Sequence, residues 1–318
     1  MLNKSLPVLN DAESSRIPDG LPTVVDAHVH LFPEGIFQSI WNWFDRYAWP
    51  IRYRMNAANI LDFLFNRGVG HVVALQYAHK PGIAAGLNTF MADMRRKYPN
   101  VTGLASVFPG EENAGQILRQ AFQSGLDGVK LHAHVQGFDL NSPAMESIYD
   151  VCAREGKPLV LHGGREPKSP AYPVDPHRIC GAEKIERVLR SFPRLRLCIP
   201  HLGFDEVREF RLLMERYDHL WLDTAMVLGD FFPGHRPPDL STLRSDRIMY
   251  GSDFPNLPYA WDREIKKIAA AGLSEDRLER LLAGNARDFF SIQPPDAGKK
   301  GGGRAGTCGR PGNGGSAT

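Results

Sequence analysis

Residues 125–164 read GLDGVKLHAHVQGFDLNSPAMESIYDVCAREGKPLVLHGG. Two short apolar runs, 128–135 and 158–164, flank a segment around Met145, Ile148 and Val151 whose apolar residues recur at helical spacing. Gly125-Leu126-Asp127-Gly128 and Gly156-Lys157-Pro158 precede the two runs, where helix-ending glycines and strand-opening prolines belong. The stretch therefore reads strand, helix, strand. Its connection is long enough for a parallel crossover, which needs a dozen or more residues.

The same alternation continues in both directions. Runs at 23–30, 71–78, 101–108, 196–203, 220–226 and 247–253 bring the total to eight. Helical patterns lie between them, such as Ile60, Leu61, Leu64 and Phe65, or Ile185, Val188 and Leu189. Eight β-α units predict an α/β fold of the closed (β/α)8 kind, a TIM barrel, with an open doubly wound sheet as the alternative. The seventh helix reads weakly, because 232–238 is rich in proline and aromatic residues. Residues 31–55 form an insert carrying Trp41, Trp43 and Trp49, and 274–290 read as a closing helix.

Composition bounds the function. The chain has 318 residues, with 38 Lys plus Arg against 36 Asp plus Glu. A net charge of +2 argues against nucleic acid or an acidic membrane as partner. The excess is local: Lys299, Lys300, Arg304 and Arg310 face only Asp296 after residue 293, where glycine is frequent and large apolar side chains are scarce. The expected organisation is an extension over 1–22, one barrel over 23–292 and a solvated Gly-rich tail over 293–318. Cys152, Cys180, Cys198 and Cys308 show no C-x-x-C spacing, and no run has the length of a signal peptide or membrane span. A cytoplasmic location is expected.

In such a barrel chemistry sits at the C-terminal ends of the strands. Those ends carry His28 and His30, then Lys130, His132 and His134, then His162, His201 and Asp253. His28 and His30 are two apart, which puts both rings on one face of a strand, and Asp26 on the same parity is the expected partner orienting one of them. Imidazoles with one carboxylate suit zinc, iron or manganese, with a position left for water.

The motifs VDAHVH (25–30), GVKLH (128–132), LHGG (161–164), PHLG (200–203) and GSDFP (251–255) resemble, in order, those of the amidohydrolase superfamily. The resemblance runs from about Thr23 to Ile292 and is to the amidohydrolase-related branch, which includes lactone hydrolases and metal-dependent decarboxylases. Gly284-Asn285-Ala286 resembles that branch's closing motif. The resemblance implies that His28, His30, His162 and Asp253 hold one metal, most simply zinc. Lys130, carboxylated, and His201 would join them only if a second ion is bound; with one ion, His201 is a free group polarising the substrate.

The first reading is hydrolysis of a small lactone, ester or amide by a metal-activated water, with Asp253 as general base and His201 stabilising the oxyanion. The alternative is non-oxidative decarboxylation of an aromatic or unsaturated carboxylic acid, in which His201 or Asp253 delivers a proton to carbon. Arg165, His132 and Lys130 are the candidate substrate contacts, the substrate being a small molecule such as a carboxylic acid. The aromatic insert serves as a lid, a homodimer contact or a cover over the barrel. A barrel without catalysis is the least favoured reading, since no ligand position is missing.

Overall fold

The computed structural model describes residues 9–166, 168–232 and 234–293. Its strands are β1 (Val24–His30), β2 (Val69–Leu75), β3 (Val101–Ala105), β4 (Gly128–His132), β5 (Leu159–His162), β6 (Leu197–Ile199), β7 (Leu220–Asp223) and β8 (Ile248–Met249). They lie side by side in chain order, and every adjacent pair is parallel. Backbone bonds complete the ring between the first and last strands. Ala27 N–H donates to Tyr250 O at 3.0 Å, Asp253 N–H to His28 O at 2.8 Å and His30 N–H to Phe254 O at 2.7 Å. The (β/α)8 barrel predicted from the apolar runs is the fold.

Period-two alternation distributes the strand residues. Val129, Leu131, Leu159 and Leu161 pack outward in the main core. The positions between them, Lys130, His132, Val160 and His162, fall inside the barrel. Its floor is a second cluster in which Val25, Ala27, Val73, Leu104, Cys198 and Met249 meet Ala286, Phe289 and Phe290 from the closing helix. The strand β1 departs from simple alternation, because its pairing with β2 slips between Asp26 and Val29.

The outer helices include α1 (Glu34–Tyr47), α2 (Ala57–Asn66), α3 (Ala84–Lys97) and α4 (Ala114–Gln123). A single turn α5 (Ala133–Gln136) precedes α6 (Pro143–Arg154), and α7 (Pro176–Ile179) precedes α8 (Ala182–Ser191) and α9 (Val207–Arg216). Between β7 and β8 the described residues contain only 3₁₀ turns, in keeping with the weak seventh pattern. After β8 come α10 (Arg263–Ala269), α11 (Glu275–Glu279) and α12 (Asn285–Phe290). The closing helix expected over 274–290 runs from Glu275 to Phe290, with a π turn at Arg280–Gly284 inside it. Asn285, from the motif at its end, donates through Nδ2 to Ser245 O at 2.7 Å and Ile248 O at 2.8 Å, tying α12 to β8.

Two added segments shape the rim. The insert after β1 folds largely as α1. Its Trp43 stacks on Tyr172 with centroids 5.6 Å apart, and Trp49 donates to Asn256 O at 2.8 Å while packing edge-on against Phe231 and Phe232. The insert thus covers the loops that follow β5, β7 and β8. The extension before β1 packs on the barrel: Ser14 N–H donates to Asp262 at 2.9 Å and Ile17 N–H to Arg67 O at 2.8 Å. The tail expected after residue 293 lies outside the described residues.

Candidate metal centre

Six histidines and three carboxylates converge at the C-terminal rim. His28, His30 and Asp253 form one compact group, their candidate ligand atoms all within 4.8 Å of one another. His30 Nε2 lies 3.1 Å and His28 Nε2 3.7 Å from Asp253 Oδ1, and the two Nε2 atoms are 3.3 Å apart. Asp253 reaches this place through a left-handed backbone, φ 66°, just beyond the end of β8. Asp26 fixes the turn before it. Its carboxylate accepts from Ser252 N–H at 2.9 Å, Ser252 Oγ–H at 2.5 Å and His28 N–H at 3.2 Å.

Asp26 therefore does not orient an imidazole, as strand parity suggested; the slip in β1 breaks that parity. Asp223, at the end of β7, takes the role. Its Oδ2 accepts from His28 Nδ1–H at 2.8 Å, and its Oδ1 accepts from the backbone N–H of His201 at 2.9 Å and of Ala225 at 3.1 Å. Burial alone would raise the Asp223 carboxyl, but the charge and hydrogen bond of His28 outweigh it and hold it below the usual range. An ionised Asp223 can only accept, so His28 carries its proton on Nδ1 and turns the Nε2 lone pair toward His30 and Asp253.

A second group comprises His162, Glu166 and His201. His201 occupies a left-handed turn, φ 57°, directly after β6, and its Nδ1–H donates to Ala225 O at 2.7 Å. Its Nε2 lies 3.8 Å from Glu166 Oε1, and His162 Nε2 lies against the same oxygen. His134 approaches from α5, with Nδ1 3.7 Å from Glu166 Oε2 and Nε2 3.2 Å from Gly164 O. His132 stacks on His162 with centroids 3.8 Å apart, its edge toward Tyr77.

Burial shifts most of these groups. It lowers His28 and His134 to about 4 and pushes His132 and His162 well below the usual histidine value. It also lifts Glu166 to about 7. Asp253 moves the other way. Burial would raise it, but its hydrogen bond to His30 and the charges of His30, His28 and His201 hold it low. Neutral imidazoles and an ionised carboxylate are the forms that ligate a divalent cation. Asp253 Oδ1 is buried with the Nε2 atoms of His30 and His28 at 3.1 and 3.7 Å, an arrangement that fits a cation seated among these donors.

The remaining expected residues are placed differently. Arg165 turns outward, its Nε 3.7 Å from Glu206 Oε1, and does not join the cluster. Lys130 is fully buried inside the barrel, and its Nζ makes no hydrogen bond or ion pair among the described residues. His162 Nε2 lies against Glu166. Asp223 and Glu166 were not singled out in the sequence. Asp223 closes a strand and could have been found by the rule that found His162; Glu166 carries no motif.

Parallel strands closed into a barrel, with imidazoles and carboxylates gathered at their C-terminal ends, define a TIM-barrel enzyme of the metal-dependent kind. The chain belongs to the amidohydrolase family, whose sequence profile (Amidohydro_2, "Amidohydrolase") matches residues 25–292. A 2-amino-3-carboxymuconate-6-semialdehyde decarboxylase from Dictyostelium discoideum is 21% identical over 220 residues, a match spanning 58% of each chain and so less than two thirds of the relative's length. Among solved structures, 5-carboxyvanillate decarboxylase from Novosphingobium aromaticivorans, complexed with manganese and a nitrobenzoic acid, superposes with TM-score 0.63 at 16% identity, covering 88% of this chain and 99% of that one. A 2,6-dihydroxybenzoate decarboxylase from Rhizobium gives TM-score 0.61 at 15% identity, covering 85% and 99%. These likenesses share the barrel. No helix among the described residues is long and apolar enough to cross a membrane.

Proposed function

We propose that this protein is a metal-dependent decarboxylase of a small aromatic or unsaturated carboxylic acid, with His28, His30 and Asp253 as the ligands of its ion and His162 as the fourth residue of the set the resemblance implies. The observation that carries the reading is that the three similar proteins named above are decarboxylases of such acids. It prefers the alternative over the hydrolysis first read from the motifs. Imidazole suits zinc and carboxylate suits manganese, so two imidazoles and a carboxylate are compatible with a divalent cation of either kind.

When bound, the cation supplies a Lewis acid that anchors the substrate's carboxylate. The chain's own residues do the rest. His201, held by Ala225 O through Nδ1–H, presents Nε2 to the cluster and holds or releases a proton there; Asp253 is the second proton carrier. The proton goes to the carbon bearing the carboxylate. The bond between that carbon and the carboxylate then breaks, CO2 leaves, and the electron pair of the bond restores the conjugated system. Phe32, which stacks on His30 at 5.9 Å, and Tyr77 wall the site with apolar surface, exclude water and favour a flat substrate.

A panel of hydroxybenzoic, aminobenzoic and muconic acids assayed for CO2 release, beside lactones and esters assayed for acid release, tests the proposal. CO2 release dependent on added Mn2+ or Zn2+ is expected. Turnover of lactones or esters with no CO2 from any acid would return the protein to the hydrolases.

A further inference from the structure

We propose that Glu264, a buried residue outside the metal centre, is a positioning residue for the proton carrier His201 and acts through the single peptide that joins Ala225 to Met226. Glu264 stands in the first turn of α10, where an acidic side chain ordinarily serves the free N–H groups of its own helix. Here both oxygens serve another segment, the turn that follows β7. Oε2 accepts from Met226 N–H at 3.1 Å and Oε1 from Leu228 N–H at 2.7 Å. The carbonyl of that same peptide, Ala225 O, accepts His201 Nδ1–H at 2.7 Å. A trans peptide is planar and points its N–H and C=O in opposite directions, so one rigid unit connects the carboxyl group on α10 to the ring of His201.

The turn does not keep this shape by itself. Met226 lies in the left-handed region, φ 60°, which a non-glycine residue holds only where its surroundings over-determine it. Two carboxyl groups do so. Asp223 Oδ1 gathers the N–H groups of Ala225 and His201 at 3.1 and 2.9 Å, and Glu264 gathers those of Met226 and Leu228. Were the Ala225–Met226 peptide to flip, its N–H would face His201. The ring would then accept at Nδ1 and carry its proton on Nε2, the nitrogen directed at the cluster. By engaging Met226 N–H, Glu264 opposes that flip, and polarising the peptide strengthens Ala225 O as an acceptor. A neutral His201 thus keeps Nε2 free to take up the proton that it later gives to carbon.

Glu264 matters in this way because His201 carries a proton in the proposed decarboxylation, the reading on which its role rests. It has no part in holding the ion. The carboxylate that orients His28 is Asp223, so loss of Glu264 should leave the metal content unchanged.

The test reads the ring directly. Long-range proton–nitrogen NMR spectra of the full chain, isotope-labelled at histidine and loaded with Zn2+, report which nitrogen of His201 is protonated, with His201→Gln identifying its signals. Nδ1 protonation is expected in the wild type, and Met226 N–H should exchange with deuterium as slowly as amides of the β7–β8 ladder. Protonation at Nε2, or rapid exchange at Met226, would overturn the proposal without any variant having to fold. Glu264→Gln offers one acceptor oxygen to two N–H groups. It should shift His201 toward the Nε2-protonated form and lower kcat for CO2 release about tenfold or more, within the roughly 10²–10⁴-fold that a positioned proton carrier contributes. KM and metal content should stay as they are. Wild-type ring signals and kcat in Glu264→Gln, with only a lower melting temperature, would reduce Glu264 to an anchor for α10 and overturn its role. The spectra need no substrate. Absence of CO2 release from every acid would therefore refute the decarboxylase reading, while the ring signals still decide the role of Glu264.

Discussion

Replacing Asp223 with Asn should weaken binding of the divalent ion by about 10–100-fold while the barrel stays folded. Oδ2 accepts the Nδ1–H of His28 at 2.8 Å, and Oδ1 holds the backbone N–H groups of His201 at 2.9 Å and Ala225 at 3.1 Å. An Asn side chain keeps one oxygen for the backbone donors and turns its NH2 toward His28. Two donors cannot share a hydrogen bond, so His28 must move its proton to Nε2, where the ion binds, or rotate away. A loss of 10–100-fold corresponds to about 1.4–2.7 kcal/mol, the range expected for one hydrogen bond to a charged group. Titration calorimetry of chelator-stripped protein with Mn2+ measures the affinity, and thermal denaturation checks that the fold is kept. Wild-type affinity in Asp223→Asn would refute the claim that this carboxylate sets the His28 tautomer.

Gly203→Ala should destabilise by roughly 2–6 kcal/mol, since φ is +80° there and a Cβ would meet Phe210 Cδ2 at 1.9 Å; an unchanged urea midpoint would contradict the turn that carries His201. His71, bonded to Thr102 Oγ1 at 2.9 Å, is lowered by burial from 6.5 to about 4. Between those values only the unfolded chain takes up the proton, so stability is full above pH 6.5 and falls as pH drops toward 4, by about 3 kcal/mol from this residue. His71→Gln should flatten that slope in urea unfolding series, and an identical pH profile in the variant would remove His71 as its cause.

Much of this was legible from residue order. The strand ends of the barrel follow from the alternation of apolar runs and helical patterns, and most of the histidine cluster follows from reading those ends. What parity could not supply was the effect of a local slip. The irregular pairing of β1 with β2 moved Asp26 away from the imidazoles and onto Ser252, and the orienting carboxylate came from β7, a strand whose end carries no histidine. A pattern within one strand cannot report a partner two strands away around the closed ring.

Glu166 was hidden for a different reason. The loop after β5 is set by Glu206, whose buried carboxylate accepts Arg165 N–H at 3.1 Å and Ala182 N–H at 3.1 Å, while Asp205 N–H donates to Arg165 O at 3.0 Å. This clamp pins the backbone at Arg165, turns its guanidinium toward Glu206 and leaves the next side chain directed at His162 and His201. One position along a loop thus exchanges an expected cation for a carboxyl group beside the candidate ligands. An arginine there would have received a substrate carboxylate; the glutamate instead lies against His162 and near His201. The choice between them rests on two hydrogen bonds from a residue about forty positions downstream.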